Sequence, residues 1–148
     1  MVADSRLRTL NAVRRLRHVE TNEARRDLAA ALARESVLAD QDAAIVRDIA
    51  VARQIDGDFD REALAAWLMR IRVERDRLAA EMPAAIVRTA EARSVLAGRR
   101  MAENAAEEAG SAAAKALETA AARRDQTMLE DVARASRSGS AAFSRESG

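Results

Sequence analysis

The stretch Ile55-Asp56-Gly57-Asp58-Phe59-Asp60 interrupts a chain whose composition otherwise favours helix. The residues before it contain no glycine or proline, and after it only one proline and two glycines precede a Ser/Gly-rich end. Gly57 can adopt the left-handed conformation that ends a helix, and Asp58 or Asp60 can cap the helix that follows. We therefore predict a bend over 56–60 between two long helices.

The flanking sequences predict where these helices begin and end. Asp4 or Ser5 is suited to cap the first helix, because either side chain can accept a hydrogen bond from an unpaired backbone N–H. The Ser/Gly-rich end has a composition that stays disordered. We expect a first helix over 4–55, a second helix over 61–135 and a disordered tail over 136–148.

The composition limits what this chain can do. Aromatic residues make up only 2% of it, so it lacks the large apolar side chains of a thick core. It has no cysteine, a single histidine (His18) and no phosphate-binding glycine loop. The N-terminal stretch is amphipathic, unlike a secretory signal, and no run approaches the roughly 18 apolar residues that cross a bilayer. We expect a non-enzymatic protein without metal, cofactor or small-molecule substrate.

Asp56, Asp58 and Asp60 share the opening spacing of a calcium-binding loop. Such a loop also needs glycine at its sixth position and glutamate at its twelfth. Here those positions hold Arg61 and Trp67. We interpret the three aspartates as helix-capping residues.

The first helix carries apolar residues at alternating steps of three and four, as in a coiled coil. Glu35 and Asp42 fill two gaps in this seam, whose other members are Ala24, Leu28, Ala31, Leu38, Ile45, Ile49 and Ala52. The stripe before it is Leu7, Leu10, Val13 and Leu16, which does not share that register. The mismatch predicts a stutter near residues 19–21.

The second helix carries a stripe of larger apolar residues, namely Leu64, Trp67, Leu68, Ile71, Leu78 and Met82. Pro83 follows it directly. A proline inside a helix removes one backbone hydrogen bond and clashes one turn back, so we expect a kink there. The alternative is a true break that would divide the chain into three helices.

The charges indicate how the helices pair. Residues 1–20 carry +3 and residues 101–115 carry −2, whereas residues 27–58 carry −4 and residues 61–88 carry +2. Folding the chain back at the bend sets each block against one of opposite sign. We predict an all-α fold, a long antiparallel two-helix coiled-coil hairpin whose longer second helix has an unpaired distal part. The net charge of +1 argues against nucleic-acid binding.

One cluster of large side chains lies beside the bend. Trp67 is at its centre with Leu64, Leu68 and Ile71, and the hairpin would set them opposite Ile45, Ile49 and Ile55. This cluster could close the hairpin as a hydrophobic clasp. It could equally dock a partner, because two helices cannot enclose a tryptophan on all sides.

Two stretches resemble the FliJ family, the small coiled-coil export chaperones of the bacterial flagellar type III secretion apparatus. Arg123-Arg124-Asp125-Gln126-Thr127-Met128-Leu129-Glu130-Asp131-Val132-Ala133 is similar to the family's basic pair, polar-Gln step, Leu, two acids and Ala. Trp67-Leu68-Met69-Arg70-Ile71 is similar to the aromatic–aliphatic stretch that opens the family's second helix. The resemblance spans nearly the whole chain in length and layout. The chain departs from it in its high alanine content, Pro83 and the Gly110-Ser111 step.

The resemblance implies a stalk that binds the export ATPase, promotes its ring assembly and links it to the cytosolic domain of the export gate. It also implies handling of escort chaperones, and a cytoplasmic location at the inner face of the cell membrane, at the flagellar base. The implied ATPase-binding residues are Leu7, Leu10, Val13, Arg124, Leu129 and Val132. The implied gate-binding residues are Ile45, Ile49, Trp67, Leu68, Ile71 and Leu78.

Three other interpretations compete with this one. The nearest is the equivalent stalk protein of an injectisome type III secretion system. A structural spacer that self-associates through its alanine-rich seam would form dimers and ignore any ATPase. A helical nucleic-acid-binding protein would bind with a steep salt dependence, which the balanced charge disfavours.

Overall fold

The computed structural model describes residues 2–54 and 61–146, with side-chain environments as far as residue 139. Over these residues the chain is all-helical. Helix α1 is Val2–Gln54 and helix α2 is Arg61–Glu146, and the two helices pack against each other. The bend predicted over 56–60, its caps, the aspartate cluster and Ile55 lie outside the described residues.

Helix α1 begins earlier than the sequence predicts. Because it starts at Val2, Asp4 and Ser5 lie in its first turn, and their assignment as N-caps is wrong. The Asp4 carboxylate accepts a hydrogen bond from Arg8 at 3.0 Å, and the Ser5 carbonyl accepts one from Thr9. An acidic residue in a first turn is favoured by the helix dipole, and its pairing with a base four residues on adds to that preference.

Helix α2 ends later than the sequence predicts. Its backbone is helical through Glu146, and the disorder expected from residue 136 stays a prediction. The Ser138 hydroxyl donates to the Arg134 carbonyl at 3.0 Å, which ties this serine to the preceding turn. Extending an existing helix costs far less than nucleating one, and no proline stops the propagation.

Pro83 lies inside α2 without ending it. The helix is continuous on both sides, so the three-helix alternative is wrong. Proline has no backbone N–H, and the carbonyl of Ala79 therefore lacks its usual helical donor. Packing across α1 and α2 in this region outweighs that loss.

The chain divides into two compact units, which we describe separately. The central unit comprises residues 17–102, and the terminal unit comprises residues 1–16 and 103–148. The core of the central unit is Leu38, Leu78 and Ala85, with Ile45 and Met82 packed against it. Leu38 and Leu78 are only 1% and 2% exposed, so these two leucines hold α1 and α2 together at this level.

Two threonines complete the seam of the central unit. Thr21 and Thr89 are 0% and 1% exposed, and their hydroxyls donate to the carbonyls of Arg17 and Ala85. The covered face of α1 therefore includes half-buried Arg17, buried Thr21 and buried Ala24, which follow one another at steps of four and three residues. Leu16 is 56% exposed, so its place in the predicted stripe is wrong.

The stutter predicted near residues 19–21 is consequently not needed. The stutter was predicted because only apolar residues were counted as seam positions. A threonine can fill a narrow seam position when its hydroxyl bonds to its own helix, because the buried polar group is then satisfied.

Ion pairs join the two helices of the central unit. Arg34 contacts Glu81 at 2.6 Å, Arg75 contacts Asp42 at 3.0 Å and Arg99 contacts Glu20 at 3.3 Å. Going along α1 from Glu20 to Arg34 and Asp42, the partner on α2 lies progressively nearer the N-terminus of that helix. These pairs are partly exposed, so each stabilises the packing by at most about 1 kcal/mol.

Candidate functional site

A groove of about 820 Å³ runs along the central unit on the side that carries the predicted gate-binding residues. Its larger apolar lining residues are Leu38, Ile49, Leu68, Ile71, Leu78 and Met82. Its charged lining is Asp42, Arg53, Arg72, Arg75 and Asp76. An apolar floor with a charged rim is the usual form of a surface that receives an amphipathic helix.

The structure brings together four of the six predicted gate-binding residues in this groove, namely Ile49, Leu68, Ile71 and Leu78. Leu68 is 44% exposed and offers a partner a free surface. Leu78 is buried against Leu38, so it supports the floor from within the core, and its assignment as a direct docking residue is corrected.

The remaining two predicted residues, Ile45 and Trp67, are not part of the groove lining. Ile45 packs against the core cluster and is half-buried. Trp67 is also half-buried, so one part of its indole is covered and another stays accessible. This partial exposure agrees with both the clasp and the docking interpretation of Trp67.

A network of charges stabilises α2 within the same stretch of helix that lines the groove. Arg77 donates to Glu74 and to Glu81, and Glu81 also accepts from Arg34 across the helices. These hydrogen bonds raise the pKa of Arg77 above its ordinary value. The hydrogen bond from Arg77 likewise lowers the pKa of Glu74. Both groups therefore stay ionised near neutral pH, and this surface keeps its charge pattern.

The predicted ATPase-binding residues all belong to the terminal unit, where they fall into two groups. Leu7, Leu10 and Val13 on α1 are half-buried, so packing already occupies part of each side chain. Leu129 and Val132 on α2 are 70% and 63% exposed. The residues on α2 therefore leave more side-chain surface accessible to a partner than those on α1.

The distal part of α2 has no packing partner over its described length. Every side chain from Glu118 to Gly139 is exposed. Arg124 lies within this segment, and its Nε donates to the carbonyl of Ala120 at 3.3 Å. Its exposed large apolar residues make this segment a candidate interaction surface.

Met128 is a member of this surface that sequence reasoning did not assign to the site. It is 66% exposed and lies one turn from Val132, on the same helix face. Leu129 is turned about 100° from Met128. The spacing of Ala121, Met128 and Ala135 at seven residues was the signal that could have identified this face.

In the terminal unit α1 also lies close to α2. Gly110 is buried, and a Cβ atom placed on it would lie 2.9 Å from the Cδ atom of Arg14. The aliphatic part of the arginine therefore lies across the glycine. A long cationic side chain commonly buries its methylene groups in this way while its charged end stays in water.

Over the residues that the structure describes, there is no group of three or more histidine, cysteine, aspartate or glutamate side chains suited to hold a metal ion. Neither α1 nor α2, in their described parts, contains a segment long and apolar enough to span a bilayer. Comparisons of the chain with protein-family models, with curated protein sequences and with solved structures gave no match.

Proposed function

We propose that the chain is an antiparallel two-helix hairpin that serves the bacterial flagellar export apparatus as a non-enzymatic stalk and general export chaperone. The reversed order of the three ion pairs that join α1 and α2 in the central unit supports the antiparallel arrangement. The resemblance to the FliJ family in the two quoted stretches supports the assignment to flagellar export.

The observation that carries this proposal is the exposed distal segment of α2. A helix with Met128, Leu129 and Val132 all more than 60% exposed needs a partner to cover them. Insertion into the pore of an ATPase ring would cover such a helix on every side. In this proposal the terminal unit binds the export ATPase, while Arg124 meets acidic groups of the ring.

The groove of the central unit would dock the cytosolic domain of the export gate. Leu68 and Ile71 provide apolar contacts there, and Arg53 and Arg72 lie at the rim. The protein would thus link the ATPase ring to the gate, handle escort chaperones, and stay peripheral to the inner face of the cell membrane at the flagellar base.

A crosslinked pull-down of the tagged full-length protein from its own bacterium tests this proposal. Mass spectrometry should identify an export ATPase together with an export-gate subunit. Recovery of an injectisome ATPase would instead mean that the protein is the stalk of that secretion system. Recovery of the protein alone, where known complexes are captured, would rule out the stalk and leave a structural spacer.

Two adjacent substitutions distinguish docking in the groove from a general effect on the helix. Leu68→Glu places a charge in the groove, and we expect it to reduce recovery of the gate subunit at least tenfold. Met69→Glu is the matched control, because Met69 is 64% exposed and is not part of the groove lining. Equal recovery of the gate with both variants would show that the groove does not bind it.

A further inference from the structure

The groove along the central unit is long and narrow. Its lining runs from Leu38 to Arg53 on α1 and from Leu68 to Met82 on α2, which is about 20 Å along either helix axis. A volume of about 820 Å³ over that length corresponds to a mean cross-section of about 40 Å². An α-helix with its side chains is about 10–12 Å across, so its own cross-section is at least about twice as large. The groove therefore has room for one edge of a helix and not for a whole helix.

The walls of the groove favour a helix over an extended peptide. Both walls are helices, whose backbone groups bond within α1 and α2 with the exception of the Ala79 carbonyl opposite Pro83, so neither wall offers a strand edge. An extended segment lying on the apolar floor would have backbone N–H and C=O groups covered without partners, which costs free energy. A helix bonds its backbone groups internally, so it can lie on the same floor and bury only its side chains.

The charges of the groove rim are unequal. The rim carries three arginines, Arg53, Arg72 and Arg75, and two carboxylates, Asp42 and Asp76. The Nε atom of Arg75 donates to the Asp42 carboxylate at 3.0 Å, so this pair is neutral as a whole. Among the residues that the structure describes, no ion pair joins Arg53, Arg72 or Asp76 to another side chain. The rim therefore presents two unpaired arginines and one unpaired carboxylate to a partner.

The two unpaired arginines lie on the same side of the pair that Arg75 makes with Asp42. Arg53 follows Asp42 by eleven residues along α1, whereas Arg72 precedes Arg75 by three residues along α2. These directions coincide, because the ion pairs between the helices run in opposite order along α1 and α2. Arg53 and Arg72 are therefore about 12 Å apart along the groove, and Asp76 lies on the other side of the pair. A positive region thus extends from Arg72 towards the C-terminal end of α1.

We propose that this groove receives an acidic amphipathic helix of another protein, about four turns long. Its apolar edge lies along Leu68 and Ile71, and its carboxylates pair with Arg72 and Arg53, which bind carboxylates through charge-assisted hydrogen bonds. The 12 Å between the two arginines corresponds to carboxylates about seven or eight residues apart on the partner helix. This inference rests on the proposed function, in which the same groove docks the export gate, and it gives the chemistry of the segment that the gate supplies.

Partners of other charge fit the groove less well. An uncharged helix would cover part of Arg53 and Arg72 without giving either guanidinium group a counter-charge, and that desolvation costs free energy. A basic helix would add repulsion from both arginines. An acidic helix is the partner that matches both the apolar floor and the excess of positive charge on the rim.

Two synthetic peptides test the charge preference on the purified full-length chain. Both have about 18 residues, blocked ends and leucine along one helical edge, and they carry either glutamate or lysine beside the leucines. Fluorescence anisotropy of the labelled peptides measures their binding. We expect the glutamate peptide to bind about tenfold more tightly, with a difference that decreases in high salt. Equal affinity of the two peptides, or no binding of either, would overturn the proposal.

Arg72→Glu and Arg70→Glu form a matched pair of variants. Arg72 lines the groove, whereas Arg70 is exposed outside the lining, about 160° away around α2. Arg72→Glu should weaken binding of the glutamate peptide about fivefold and strengthen binding of the lysine peptide. Arg70→Glu should leave both affinities unchanged, and circular dichroism checks that both variants keep their helices. The same change in both variants would show that the peptides respond to the overall charge of the chain, which would overturn the proposal.

Sedimentation equilibrium of the chain alone separates another protein from a second copy as the occupant. A dimer that Arg72→Glu weakens and Arg70→Glu does not would assign the groove to a second copy and overturn the proposal. The pull-down tests the proposed function separately. Recovery of the gate subunit without a preference for the glutamate peptide would overturn this inference alone. The expected preference without recovery of the gate subunit would leave the acidic helix as the occupant and contradict the gate as its source.

Discussion

The side chain of Arg14 lies across Gly110, so that a Cβ atom at Gly110 would come within 2.9 Å of the arginine Cδ atom. Glycine inside a helix costs about 1 kcal/mol relative to alanine. The close approach gives a reason for glycine at this point of α2. It also makes Gly110 different from Gly98, where nothing beyond the neighbouring residues and backbone of its own helix lies within 4 Å of the corresponding position.

The two glycines therefore predict different responses to alanine. Gly98→Ala should stabilise the chain by about 1 kcal/mol, because it gains helix propensity in open space. Gly110→Ala should gain less, because Arg14 must move aside. Urea unfolding followed by circular dichroism measures both. In an Arg14→Ala background, Gly110→Ala should stabilise the chain as much as Gly98→Ala does. If its stabilisation is the same with and without Arg14, then Arg14 is not the obstacle.

Leu38 should be among the residues on which stability depends most. Leu38→Ala removes a side chain that is 1% exposed and contacts the core of the central unit, so we expect a loss of about 2–5 kcal/mol. The matched control is Leu32→Ala, at a position 41% exposed on the same helix, where the loss should stay below about 1 kcal/mol. Similar losses at both positions would contradict the assigned core.

Thr21 tests whether a buried hydroxyl is needed in the seam. Thr21→Val keeps the branched shape, and the Arg17 carbonyl retains its helical backbone donor, so we expect stability to change by less than about 1 kcal/mol, towards stabilisation. Thr119→Val is the control, because its hydroxyl makes the same 2.9 Å bond on an exposed face. A large loss at Thr21 alone, measured by thermal unfolding, would mean that its hydroxyl has a further partner.

The contact between Asp42 and Arg75 should be weak but measurable. A double-mutant cycle with alanine at both positions should give a coupling of about 0.2–1 kcal/mol, because the pair is partly exposed and made by one 3.0 Å contact. The coupling should decrease in high salt. Asp40, two residues earlier and exposed, serves as control with Arg75 and should give no coupling.

Trp67 distinguishes folding from partner binding. Because Trp67 is half-buried, Trp67→Ala should leave most of the helicity intact while it weakens recovery of the gate subunit in the pull-down. Circular dichroism and the pull-down are measured on the same preparation. A large loss of helicity would instead identify Trp67 as a core residue and favour the clasp interpretation.

Sequence alone predicted the number and type of the elements. The helices expected over 4–55 and 61–135 correspond to Val2–Gln54 and Arg61–Glu146 among the residues that the structure describes. Such agreement is possible because helix propensity is local, and long stretches without glycine or proline leave few alternatives. The disordered tail expected over 136–148 stays a prediction.

Tertiary structure alone decided which side chains fill the seam. Apolar periodicity assigned Leu16 to it, whereas the folded chain buries Thr21 and leaves Leu16 exposed. The contact of Arg14 with Gly110 and the burial of Leu78 beneath the groove were equally absent from the periodic pattern. Periodicity identifies a helix face but not the depth of each position within it. That depth depends on how closely the partner helix approaches, and only packing determines the distance.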